Sequence, residues 1–263
     1  MKLSIVTVSF NAENCIEKTI LSVLNQTMPV YEYIMVDGGS KDKTYEIIKS
    51  YEQKFKNKGI RFLFHSEPDR GISDAFNKGI AQATGDVIGI INADDELIPE
   101  ANSVLNKTYN EKDAGVYYGN CLWVDNVRGT EHISYPKHDL ARLLYYMVLI
   151  HPSTFVKRKV YEEFGVFDIT YRYCMDKELL YRFYKAGVQF QYVDATLTKF
   201  KAGGVSDTNT VKVLKEGSRM ALDNGENVIK VKMIEYKERV RVAIVKKIKK
   251  TPVYDALKKT RKI

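Results

Sequence analysis

The chain has 263 residues, 44% of them hydrophobic, with a net charge of +8 and a sequence pI near 9.1. That apolar content is enough to bury a sizeable core and excludes an intrinsically disordered protein. Cys15, Cys121 and Cys174 are too few and too widely spaced for a disulfide framework or a thiolate zinc site, and His65, His132, His138 and His151 form no zinc-hydrolase pattern; a reducing cytoplasm is the expected setting.

In chain order, residues 3–10 are apolar but interrupted by Ser4, Thr7 and Ser9, and read as a first strand rather than a signal peptide. Ile16, Ile20, Val23 and Leu24 then recur at helical spacing until Pro29. Residues 33–37 are a second strand ending in the permissive turn Gly38-Gly39-Ser40, followed by a helix with Ile47, Ile48, Tyr51 and Phe55 on one face. A third strand at 60–64, a third helix at 72–83 closed by Gly85, and a fourth strand at 87–91 complete the first half. The unbroken run Val87-Ile88-Gly89-Ile90-Ile91 suits a strand covered on both faces. Strand and helix alternate throughout, which predicts an α/β class with a mostly parallel, Rossmann-like sheet and helices on both sides.

Beyond Pro99 the alternation loosens. The pattern predicts a helix to about Tyr109, a strand at 116–125, a hairpin turn at 126–129, a short helix at 140–146, a strand at 153–156, a helix at 177–186 and a short strand at 190–193. From Lys212 to Ile263 there are 16 basic and 6 acidic residues, so this end carries +10 and the rest of the chain −2. It reads as helical, with Val240, Ile244, Val245 and Ile248 on one side. The expected organisation is a main domain over 1–210, divided at 98/99 into two halves, and a basic helical tail over 211–263. The longest apolar stretches, such as Tyr145 to Ile150, are too short to cross a bilayer, so any membrane contact is expected to be peripheral.

Asn92-Ala93-Asp94-Asp95 places two adjacent acids at the carboxyl end of the fourth strand, the rim where open α/β sheets bind ligands. Their mutual repulsion would be relieved by a divalent cation shared with a phosphate, and hard oxygen ligands suit Mg²⁺ or Mn²⁺. A solvated turn ahead of the helix near Pro99 is the alternative. Asp37 ends the second strand at the same rim. Neither a dinucleotide-binding G-x-G-x-x-G nor a P-loop is present.

Five stretches together resemble the family 2 glycosyltransferases of the GT-A fold, particularly those of bacterial surface-polysaccharide synthesis. In order they are Val6-Thr7-Val8-Ser9-Phe10-Asn11-Ala12-Glu13, Met35-Val36-Asp37-Gly38-Gly39-Ser40-Lys41-Asp42, Ser66-Glu67-Pro68-Asp69-Arg70-Gly71 continuing to Ile80, Asn92-Ala93-Asp94-Asp95, and Met175-Asp176-Lys177-Glu178 continuing to Arg182. The resemblance spans roughly residues 1–205. It implies that Val8, Ser9 and Asp37 border the nucleoside, that Asp94 faces the ribose, and that Asp95 holds the metal bridging the diphosphate. Asn92 replaces the first acid of the family's D-x-D. Asp69, Arg70 and Asn77 fall in the implied donor pocket, and Asp176 is the implied general base. Read from the residues alone, Arg70 also suits a solvated surface cation and Asp176 a helix-start acid favoured by the macrodipole. Glu178 and Arg182 are spaced for a helix-surface ion pair.

His151 aligns with a position near acceptor or diphosphate, with a core or surface histidine as the competing reading. The segment from Lys201 to Ser206 resembles a mobile loop that closes over the donor. The expected activity is inverting, metal-dependent transfer of a sugar from a nucleoside-diphosphate sugar, UDP-linked by preference, to a glycan or lipid-linked glycan. The basic tail suits an anionic membrane, placing the protein on the inner face of the cytoplasmic membrane, with no nucleic acid as partner. Two rivals stand: a nucleic-acid-binding protein, raised by the pI, and a sugar nucleotidyltransferase, which would release pyrophosphate.

Overall fold

The computed structural model describes residues 1–126, 129–201 and 209–248. Val127 and Arg128 of the expected hairpin turn, the glycine segment from Ala202 to Ser206, and the tail from Lys249 onward lie outside the described residues. The chain divides into two compact units, Met1–Gly203 and Gly204–Ile263.

The first unit is built on a nine-stranded sheet. Its first half holds β1 (Leu3–Ser9), β2 (Glu32–Asp37), β3 (Arg61–Ser66) and β4 (Val87–Ile90), all parallel, in the order β3-β2-β1-β4. The intervening helices are α1 (Ile16–Leu24), α2 (Thr44–Ser50), α3 (Glu52–Asn57) and α4 (Ile72–Gln82). The single helix expected after Ser40 is two, because the chain turns at Tyr51, which is buried and donates its hydroxyl to Glu17 Oε1 at 2.6 Å.

The second half adds β5 (Glu96–Leu97), α5 (Ala101–Thr108), β6 (Val116–Asp125), β7 (Thr130–Ser134), β8 (Thr154–Lys157), α6 (Arg158–Phe164), α7 (Met175–Lys185) and β9 (Phe190–Lys201). From β4 the sheet continues β8-β6-β9-β5, with β7 against β6. Strands β1, β2, β3, β4, β6 and β9 run one way; β5, β7 and β8 run against them. The expected helix at 140–146 is a 3₁₀ turn, Leu140–Leu144. Strand β9 runs well past its expected end. Its register against β6 shifts twice, leaving out Asp194 and Ala195 and then Leu197, so that Thr196 pairs with Asn120 and Thr198 with Cys121.

Alternation along the central strands loads two cores. Leu3, Ile5, Tyr33, Met35 and Val87 face α1, α3 and α5, whereas Val6, Val8, Ile34, Val36, Ile88 and Ile90 face α4 and α7. At Gly89 a Cβ would stand 2.5 Å from Phe155 Cε1, so only glycine lets β8 close on β4 with that ring between them.

At the amino-terminal ends of the strands, Glu32 is fully buried. It accepts hydrogen bonds from Ser4 Oγ at 2.6 Å, Thr84 N at 2.6 Å and Gly85 N at 3.1 Å, and pairs with Arg61. Burial alone would raise its pKa, but bonds from Ser4, Thr84 and Arg61 outweigh that and hold the carboxyl below the usual range.

In the second unit α8 (Thr210–Asp223) and α9 (Val228–Ile248) pack on one another, with Ser218 Oγ donating to Glu235 Oε2 at 2.9 Å and with Met220, Ala221 and Val231 buried.

Replacing Glu32 by Ala removes the shared acceptor of Ser4 Oγ, Thr84 N and Arg61, while Gly85 N keeps Ser4 Oγ at 3.0 Å, and equilibrium urea unfolding at neutral pH is expected to record a loss of about 2–4 kcal/mol. Because the folded carboxyl titrates below its unfolded value of 4.5, its contribution is present above that pH and fades as pH falls through the folded pKa, so the difference from wild type narrows in acid.

Candidate active site

The rim of the sheet is organised by Asp37, the last residue of β2, which has no exposed surface. Its Oδ1 accepts from Ser9 Oγ at 3.0 Å and Ser40 Oγ at 2.5 Å; its Oδ2 accepts from Ser66 Oγ at 2.7 Å, Ser40 N at 2.9 Å and Gly39 N at 3.2 Å. One carboxylate therefore ties the ends of β1, β2 and β3. Val8 and Ser9 are buried beside it. The next loop is pinned to the same turn: Asn11, at a φ of 49°, accepts from Lys41 N at 2.9 Å and donates its own N–H to Ser40 Oγ at 2.8 Å.

Phe10 is the residue the sequence reading passed over. It extends the apolar pattern of β1 but lies just past the strand and is 63% exposed. A Cβ built on Gly38 would stand 3.4 Å from Phe10 Cδ2 and 2.6 Å from Asp69 Oδ2, so the bare backbone of Gly38 admits an exposed ring and a carboxylate at one spot. An aromatic just beyond an otherwise buried strand was the available signal.

At the end of β4, Asp94 is exposed and Asp95 fully buried. Asp95 Oδ2 accepts from Asn92 Nδ2 at 2.9 Å, its Oδ1 faces Lys201 N at 3.4 Å, and its carbonyl accepts from Thr19 Oγ1 at 2.7 Å. Burial, then the charge of Asp94, push its carboxyl up to about 7. Asn92 Oδ1 is buried with no hydrogen-bond partner. Four consecutive residues thus offer only oxygen donors: one orphaned, one open to solvent and one short of compensating positive charge. That set fits a hard divalent cation. Among the described residues no cluster of three His, Cys, Asp or Glu occurs; a divalent cation held by one or two carboxylates takes its remaining ligands from water or substrate phosphates.

The other expected donor residues are differently engaged. Asp69 Oδ1 accepts from Gly71 N at 2.8 Å. Arg70, 74% exposed, donates to Asp74 Oδ1 at 3.0 Å, a surface ion pair at the start of α4. Asn77 has both ends of its amide on the backbone of Phe167, donating to the carbonyl at 2.8 Å and accepting from the N–H at 3.0 Å. It ties α4 to the segment preceding α7 rather than presenting its amide at the rim.

Asp176 lies in the first turn of α7, where the helix dipole favours a negative charge. Its Oδ1 accepts from Lys177 N at 2.7 Å, and its carboxyl remains partly exposed. His151 packs against Phe76 of α4 and Phe167, with ring centroids 5.6 and 6.1 Å away. Burial holds its imidazole below 6.5, and the nearby charge of Asp176 pulls the other way. Glu178 and Arg182 form the expected pair, at 2.9 Å, and Arg182 also donates to the carbonyls of Phe164 and Val166.

The sequence profile described as glycosyl transferase family 2 matches residues 4–180. The chain belongs to this family and is a glycosyltransferase. It is 27% identical over 210 residues to a PGL/p-HBAD biosynthesis glycosyltransferase of Mycobacterium bovis, covering 78% of this chain and 79% of that one. Over 121 residues, 46% of this chain and 38% of the relative, it is 32% identical to the GalNAc(5)-diNAcBac-PP-undecaprenol beta-1,3-glucosyltransferase of Campylobacter jejuni. Among solved structures it resembles S. aureus TarS in complex with UDP-GlcNAc, with a TM-score of 0.62 and 17% identity over 89% of this chain and 70% of that one. A mannosyltransferase from Pyrobaculum calidifontis in complex with GDP-Man and Mn²⁺ aligns at a TM-score of 0.64 and 14% identity, over 98% of this chain and 79% of that one. These likenesses establish the GT-A glycosyltransferase fold. Family membership also sets aside the nucleic-acid-binding rival.

Asn77→Ala removes both bonds to Phe167 and is expected to cost about 1–3 kcal/mol in chemical denaturation. For His151 the folded pKa lies below the unfolded 6.5, so its contribution to stability is present above that pH and lost as pH falls. Thermal melts of His151→Gln between neutral pH and pH 5 should accordingly fall less steeply than those of wild type.

Proposed function

We propose that the protein transfers a sugar, with inversion, from a nucleoside-diphosphate sugar, UDP-linked by preference, to a hydroxyl of a lipid-linked oligosaccharide. The observation that carries the reading is the composition of the rim: the Asp37 turn with Phe10 beside it, and the oxygen-only run Asn92 to Asp95, at neighbouring strand ends where the strand order reverses. Phe10 offers a face for the base. Asp37 can accept a base N–H once a serine hydroxyl turns away. Val8 and Ser9 close the floor, and Asp69 lies beside the ring.

Asp94, the exposed acid, would hold a Mn²⁺ or Mg²⁺ ion together with the orphaned Asn92 Oδ1, and Asp95 behind them would supply compensating negative charge. We give Asp94 the leading ligand role because it is the one acid of the run with open surface; Asp95, to which the resemblance gives that role, is buried as Asn92 Oδ1 is, and stands as the alternative ligand. Bound there, the ion would neutralise charge developing on the departing diphosphate.

Asp176 then takes the proton of the acceptor hydroxyl as its oxygen attacks the anomeric carbon, and the nucleoside diphosphate leaves from the opposite face. His151, kept neutral by burial, adds no competing positive charge beside the base. Arg70 keeps its donor-pocket role only if its exposed guanidinium leaves Asp74. A glycan acceptor carried on a lipid places the enzyme at an anionic membrane, on the inner face of the cytoplasmic membrane, with the basic tail as the element that meets it. The Campylobacter relative, whose name specifies an undecaprenol-linked substrate, supports this acceptor class.

Thermal-shift measurements over a panel of sugar nucleotides with Mn²⁺ should single out one donor, and the turnover product should be a nucleoside diphosphate; pyrophosphate would point to the nucleotidyltransferase instead. Asp176→Asn is expected to cut turnover by about 10²–10⁴-fold with donor affinity retained. Asp94→Ala should abolish Mn²⁺-dependent donor binding, while Asp95→Asn weakens it less; the reverse order would restore the metal to Asp95.

A further inference from the structure

Helix α9 has two opposing apolar faces. On one, Val231 is buried against α8, and Ile234, Val242 and Val245 are half-buried along the same side. On the other, Ile229, Met233, Tyr236, Val240 and Ile244 recur every three or four residues and are 70, 67, 71, 40 and 50% exposed. Over 21 residues the helix is about 30 Å long. A globular helix normally turns a single apolar stripe inward. A second stripe of this length left in water marks an interaction surface.

The charges around it select the partner. Lys230, Lys237 and Arg241 fall along one edge of the exposed stripe, and Lys232 and Arg239 along the other. Both glutamates lie toward the packed side: Glu235 accepts from Ser218 and Arg239, and Glu238 pairs with Arg241. The helix holds seven basic residues against these two acids, a net +5. Pairing with a second copy along this stripe would bring two such charges together. An anionic lipid surface supplies the opposite charge along both edges and an apolar layer between them. Long basic side chains beside an apolar stripe can lie along it with their charged ends at phosphate level.

We propose that α9 is an interfacial helix that lies in the plane of an anionic membrane, with Ile229, Met233, Tyr236, Val240 and Ile244 seated at the boundary of headgroups and acyl chains. The proposal rests on the lipid-linked acceptor of the preceding reading for its setting, whereas the contact itself follows from the helix. It assigns the binding to the apolar stripe as well as to charge.

The test is co-sedimentation of the full chain with phosphatidylcholine vesicles, with and without phosphatidylglycerol. Wild type is compared with the triple variant Met233→Gln, Tyr236→Gln, Val240→Gln, which leaves the charge unchanged. All three side chains are exposed, and circular dichroism and thermal melting check that folding is kept. Wild type is expected to bind the phosphatidylglycerol vesicles, and the variant to bind them at least about tenfold more weakly, with equal transfer to a soluble acceptor. Equal vesicle affinity of the two proteins, no affinity in wild type, or a lipid-free dimer that the variant abolishes would each overturn the proposal. Absence of transfer in both proteins, with vesicle binding as expected, would remove the activity reading and leave this one standing.

Discussion

One carboxylate, that of Asp37, keeps the rim in shape. Three strands that diverge with the natural twist of a parallel sheet end within hydrogen-bond reach of it, and its five donors come from β1, β3 and the turn that follows β2. A buried anion is tolerable only when its lone pairs are occupied, and here three serine hydroxyls and two backbone N–H groups occupy them. The same bonds hold the Gly38–Ser40 turn against the β1 loop. Phe10, Asp69 and the bare backbone of Gly38 are thereby kept together. Glu32 performs the corresponding task at the opposite end of the strands. The parallel half is thus closed at both ends by buried acids with quite different consequences, one bracing the rim proposed to meet the donor and the other sealing the core.

The two acids after β4 are neighbours in sequence but not in environment. The turn that exposes Asp94 drives Asp95 inward, where burial and its neighbour's charge raise its pKa to about 7. A pair that reads as one motif is a solvent-facing acid backed by a poorly compensated charge. Cation binding at such a spot gains from relief of that repulsion as well as from direct coordination.

The parallel half was legible in the sequence because β1, β2 and β4 are covered on both faces and read as largely apolar runs, and because even the half-exposed edge strand β3 keeps the apolar residues Phe62 to Phe64. Asp37, Asp94 and Asp95 followed as strand-end acids. The second half was less legible. Strand β9 continues past Val193 only because it bulges against β6, a tertiary event with no local signal. The short helix α6, rich in charge, and the two-residue β5 carry too little periodicity to detect. Asn77 sat inside a matching motif, yet its amide is consumed by the backbone of Phe167, which no spacing argument could reveal. Conversely, Phe10 looked like the last core residue of a strand until the chain turned just before it. In α9 the sequence reading grouped Val240 and Ile244 with Val245, whereas the helix places the first two on its exposed face and Val245 on its packed side.

The sheet passes from one half to the other at a short ladder. Strands β4 and β8 are joined over three residue pairs, Val87 with Lys157, Ile88 with Val156 and Gly89 with Phe155. On the α4 side the crossing is reinforced where Ser73 and Asn77 bond the backbone of Tyr171 and Phe167. The acids that would grip the leaving group hang from β4, while the proposed base stands on a helix of the far half. Their separation is therefore held like the jaws of a clamp, by the ladder on one side and by those bonds on the other. The aromatic ring lodged over Gly89 acts as a shim in that ladder, so a change in its bulk would retune the bite of the enzyme without touching any group proposed to meet the substrate.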